Sequence, residues 1–127
     1  MSNPVTISSL HKEHRVWEDE LNFWEDELIA YKKVLAEVIS KGQQNADVLA
    51  QSERFQNQFI RHQEIIDILK HDVRRYEKFL ASHVHDQDVT NSFPDHPMIR
   101  DRVDVQRKMF DELKYEFKVF ASAHRHL

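Results

Sequence analysis

The sequence predicts an all-α fold: an antiparallel, up-down-up three-helix bundle with long, heptad-patterned, coiled-coil-like helices. Three observations carry this reading. Apolar residues recur along three segments at spacings that alternate between four and three, the roughly 3.5-residue repeat of helices packed side by side in a left-handed supercoil. Glycine and proline are scarce, one and three in 127 residues, and they fall at the edges of those segments. The charges flanking the segments are complementary, acid opposite base, across one consistent register. Strands would need a period of two, and no segment supplies it.

The first segment carries the seam Leu10, His14, Trp17, Leu21, Trp24, Leu28, Tyr31, Leu35, Val38 and predicts a helix over about 9–41. Ser8 or Ser9 is placed to cap it by accepting from an orphan backbone N–H. Lys41-Gly42-Gln43-Gln44-Asn45 is a short break. Gly42 suits a left-handed C-terminal position there, and Asn45 or Asp47 suits the next cap. The second seam is Val48, Ser52, Phe55, Phe59, His62, Ile66, Leu69, Val73, Tyr76, Leu80, His83, within a helix over about 46–83. A polar connection over 84–96 contains Asn91, Ser92, Pro94 and Asp95. Pro97 then fits the first turn of a third helix over about 97–126, where its missing N–H costs nothing. That helix carries the seam Ile99, Val103, Gln106, Phe110, Leu113, Phe117, Phe120, His124, Leu127. Residues 1–127 are read as one domain.

Flanking charges test the bundle. When the seam positions are labelled a and d, Glu13, Glu20 and Glu27 occupy g on the first helix. Arg100, Arg107 and Lys114 occupy e on the third, at a constant offset of 87. The matching registers bring Glu18 near Lys70 and His11 near Glu77 between the first two helices. Between the second and third they bring Asp72 near Arg102 and Ile65 near Met109. Exposed pairs of this kind select a register more than they stabilise it. The up-down-up plan, with Trp17 and Trp24 on the first helix, is similar to a spectrin repeat. That resemblance is architectural and implies no function.

Composition excludes several function classes. With Gly42 alone, no glycine-rich phosphate loop, dinucleotide fingerprint or nucleophile elbow can form. The absence of cysteine removes disulfides, thiolate chemistry and cysteine-ligated metals. A net charge of −4 is too balanced for a general nucleic-acid binder. No apolar run reaches the roughly 18 to 20 residues of a membrane span, and Met1–Thr6 lacks the basic and apolar regions of a signal peptide. A cytoplasmic location is expected, with neither nucleic acid nor membrane as a partner.

The seams do not use all the apolar residues. Val16, Phe23 and Ala30 repeat at position c of the first helix, beside Ile29. Met98, Val105 and Val119 repeat at c of the third, and the second adds Ile60, Ile68 and Phe79. Such stripes mark either a wider core or an interface. The expectation adopted is a homo-oligomer, a dimer through the first and third helices.

Histidine is the residue type most able to mark a site, with nine in the chain. His14, His62, His83 and His124 sit on seams in different layers, where apolar or hydroxylic neighbours are expected. They read as polar seam residues satisfied by a hydroxyl, a carbonyl or water. A di-iron bundle needs Glu-x-x-His pairs on two helices, and the chain has none; His14-x-x-x-Glu18 stands alone. His83, His85, Asp86 and His96 around the connection, with His11 and His14 at the same end, are the candidate metal ligands for zinc, nickel or copper. A solvated loop is the preferred reading of that cluster, and no cofactor is expected.

Other constellations fail. The serines lie at caps, on helices or in the connection, without an oxyanion hole. Glu18-Asp19-Glu20 and Glu25-Asp26-Glu27 turn around a helix into solvent rather than forming a desolvated acid–base pair. Part of the basic stripe Lys70, His71, Arg74, Arg75 and Lys78 faces the acidic Glu13 to Glu20 stretch of the first helix. No catalytic residue is assigned. The sequence therefore points to a non-catalytic, self-associating scaffold or protein-interaction module. The second reading is a metal- or small-ligand-binding bundle, or an enzyme, that uses the histidine-rich end.

Overall fold

The computed structural model describes residues 6–82 and 96–124. They form α1 (Ile7–Lys41), α2 (Ala46–Ala81) and α3 (His96–His124). Each helix packs against the other two, and there is no strand among the described residues. His83, His85, Asp86 and Leu127 lie outside them.

Local chemistry sets the helix ends. Helix α1 begins two residues before the expected start, because Thr6 rather than Ser8 or Ser9 is the cap. The Thr6 hydroxyl accepts from the Ser9 N–H at 3.1 Å, and the Thr6 N–H donates to Ser9 Oγ at 3.2 Å. This is a reciprocal capping box. Asn45 caps α2, its Oδ1 accepting from the N–H groups of Asp47 and Val48 at 3.0 and 3.1 Å. Helix α3 starts at His96, a residue expected in the connection. A residue before proline normally avoids helical dihedrals, but Pro97 lies in the first turn of α3, where its missing N–H has no helical acceptor to serve.

Gly42 ends α1 for a reason other than the one expected. Its φ is −99°, so no left-handed conformation is used. A Cβ there would instead lie 2.7 Å from Val48 Cγ1 and 3.1 Å from the Val38 carbonyl oxygen. The constraint is the close approach of α2 to the end of α1. Gly42→Ala is expected to cost about 1–2 kcal/mol through overpacking, measured as a lower urea midpoint. Gly42→Asn, which a left-handed site would tolerate, should lose at least as much.

The seams form the core. Every seam residue of α1 is buried, as are those of α2 through Leu80 except half-buried Tyr76 and those of α3 through Phe120. His124 is half-buried. Aromatic rings fill the half of the core away from the residue 14 layer. Phe117 meets Phe55 edge-on at 5.3 Å and Phe59 edge-on at 5.1 Å, with Tyr31 at 5.2 Å on another side. Edge-to-face contacts of this kind contribute about 0.5–1.5 kcal/mol beyond area burial.

The flanking charges meet largely as expected. Glu13, Glu20 and Glu27 pair with Arg100, Arg107 and Lys114. Residue numbers rise together along this interface. Between α1 and α2 they run in opposite directions, His11 meeting Glu77 and Glu25 meeting Gln63. Lys70 departs from expectation, reaching Glu25 at 2.9 Å rather than Glu18. Gln63 already holds Glu25 at 2.8 Å, so Lys70 joins a fixed carboxylate. Arg102 lies 3.4 Å from Asp72.

Candidate functional site

The start of α1, the end of α2 and the start of α3 meet around His14. Position a of the seam turns His14 inward, while its neighbours Glu13 and His11 flank it towards α3 and α2. Glu77 comes from the last turns of α2. His96, seven residues before Val103, extends the α3 seam by one position and is buried.

These side chains form one continuous line. Glu77 accepts from His11 Nδ1 through Oε2 at 2.8 Å and from His14 Nδ1 through Oε1 at 2.7 Å. His14 Nε2 lies 3.1 Å from His96 Nδ1. His96 Nε2 donates to Glu13 Oε1 at 2.5 Å. Arg100 closes the line with a fork onto Glu13, Nε to Oε2 at 2.9 Å and Nη2 to Oε1 at 2.8 Å. The Trp17 indole lies beside both imidazoles, with ring centroids 5.2 and 5.1 Å away.

Electrostatics separate the centre from the ends. Burial pushes the His14 imidazole below its usual range, against the upward pull of its hydrogen bond to Glu77, and the charge of His96 adds to the fall. For Glu13, burial pulls upward, but the hydrogen bonds and charges of Arg100 and His96 outweigh it and hold the carboxyl below the ordinary range. The side chains of Glu77 and Glu13 remain 26% and 29% exposed, so both ends of the line reach water while His14 does not. The arrangement can hold a proton between two carboxylates and exchange it with solvent at either end.

The expectation of apolar or hydroxylic neighbours for the seam histidines is corrected at two of them. His14 meets a carboxylate and an imidazole because Glu77, at an e position of α2, bends over the seam and His96 adds a seam position to the start of α3. His62 Nδ1 lies 2.8 Å from Gln106 Nε2, deep between α2 and α3, and its ring meets Phe110 edge-on. Burial, with Arg61 nearby, lowers His62, which suits an imidazole accepting from the Gln106 amide.

Of the proposed metal ligands, His11, His14 and His96 come together. His83, His85 and Asp86 lie outside the described residues. Both ring nitrogens of His14 and of His96 already face partners, and no three His, Asp or Glu side chains among the described residues converge as ligands would. Glu13 and Glu77 complete the site but were read only as register-setting charges. The signal for His96 was its heptad spacing to Val103, masked by the following proline.

No protein-family model, curated protein or solved structure matches the chain. No helix among the described residues is long and apolar enough to cross a membrane.

Proposed function

We propose that the chain is an antiparallel, up-down-up bundle of coiled-coil character that works as a non-catalytic, cytoplasmic scaffold and associates with itself. One observation carries this reading: an apolar groove of about 480 Å³ between α2 and α3, lined by Ile65, Ile68, Leu69, Met98, Val105 and Met109. Ile68, Met98 and Val105 are each more than half exposed. A contiguous apolar strip of this kind is what an interface covers.

The groove also moves the expected interface. Met98 and Val105 turn towards α2, whereas Phe23 lies beside Lys114 on the opposite flank of α3. The apolar c positions of α1 and α3 therefore occupy different faces, and the α2–α3 face is the stronger candidate. Its rim carries Asp101 next to Arg102. Both signs on one rim suit a two-fold contact, in which each patch meets its own copy.

Analytical ultracentrifugation is expected to give twice the chain mass at tens of micromolar. Ile68→Asp with Val105→Asp should return a folded monomer, while Phe23→Asp leaves the dimer intact. A wild-type monomer at high micromolar concentration would sink the proposal.

A further inference from the structure

We infer that His14 and His96 share a single proton, and that this pair is a two-sided pH switch holding the first turns of α3 against α1 and α2. The inference is independent of self-association and begins with hydrogens. Three hydrogen bonds run through the four ring nitrogens of the pair, two ending on carboxylates and one joining the rings. Ionised carboxylates only accept, so His14 Nδ1 and His96 Nε2 must each carry hydrogen. The bond between the rings needs one more. Two neutral imidazoles supply two hydrogens, and two imidazolium ions supply four. Only one neutral ring with one imidazolium supplies three.

Charge agrees with the hydrogen count. From α1, Glu13 faces the pair, with His11 beyond Glu77. Helix α2 contributes Glu77, and α3 contributes Arg100. Two carboxylates against one guanidinium leave one negative charge, which one shared proton offsets. Desolvation makes His14 the neutral member, accepting at Nε2 from His96.

Either change of proton number breaks the contact between the rings. Removing the proton sets two lone pairs against each other at 3.1 Å. Adding a second sets N–H against N–H. His96 is the first residue of α3, so the broken bond is one that ties the start of that helix to a buried residue of α1.

Linkage fixes the sign. Below the unfolded histidine value of about 6.5 the unfolded chain holds two protons on these residues, above it none, while the folded pair holds one. Stability from the pair rises with pH up to about 6.5 and falls beyond it, giving a maximum rather than a plateau.

The test uses wild-type protein labelled with ¹⁵N-histidine. Near pH 6.5, the ring nitrogens of His14 and His96 are expected to show three protonated positions and one bare one. Two bare nitrogens would overturn the shared proton. In parallel, urea stability is followed from pH 5 to 9 against a His14→Leu/His96→Leu variant, which retains the His11–Glu77 pair. The difference profile should peak near pH 6.5, and backbone amide protection over residues 100–103 should follow it. A profile that climbs to a plateau above pH 7, or protection that ignores the peak, would overturn the switch.

Discussion

Replacing Phe117 with alanine is expected to cost about 3–5 kcal/mol, the largest loss from any single aromatic truncation in this core. The side chain is almost wholly buried and lies against Tyr31, Phe55 and Phe59, with Phe120 at 6.4 Å. These rings come from all three helices, so no one helix can move in to fill the space without losing contact with another. Incomplete collapse is what makes a truncation expensive. Phe117→Leu, which keeps most of the volume, should lose markedly less. Chemical denaturation of both variants checks the argument. A Phe117→Ala loss below about 1 kcal/mol would mean that the core closes around the gap.

His14→Leu is the second large effect, about 2–3 kcal/mol near neutral pH. Leucine fills the seam position but leaves His96 Nδ1 and Glu77 Oε1 without their partner. Glu77 can turn to water, whereas His96 is buried and bears the cost of an unpaired polar group. Removing both imidazoles leaves no such orphan, so the double leucine variant should lose less than the sum of the single ones, by about 1 kcal/mol or more. Agreement of the double variant with the sum to within about 0.5 kcal/mol would show that the two rings do not interact.

The sequence made the core legible because burial on a helix has a period. Every residue of the seam from Leu10 to Val38 is inside, and among the described seam positions of the other helices only Tyr76 and His124 are half-exposed. The charge ladder was legible for the same reason, since Glu13, Glu20 and Glu27 can reach only what lies at matching positions. The site was legible in part. Heptads placed His14 inward and paired His11 with Glu77, but they describe where a side chain points rather than how far a carboxylate bends. The ends of the helices were harder to read. Thr6 lies farther upstream than Ser8 and Ser9, and Gly42 answers to the methyl of Val48, a neighbour no local rule names. His96 falls just outside the expected helix because Pro97 signals a helix start, although the spacing of seven to Val103 puts it on the seam.

The ladder from Glu13–Arg100 to Glu27–Lys114 repeats every seven residues on both helices. A ruler with identical marks cannot report which mark is which. If α3 slid by one heptad, Glu20 would meet Arg100 and Glu27 would meet Arg107, so most of the ionic contact would survive. The displaced arrangement would fail elsewhere. It would part His14 from His96 and His62 from Gln106, leaving buried polar groups without their partners. The charges therefore choose the phase of the third helix, and the rare polar residues inside choose its origin, as an isolated polar seam residue does in a coiled coil.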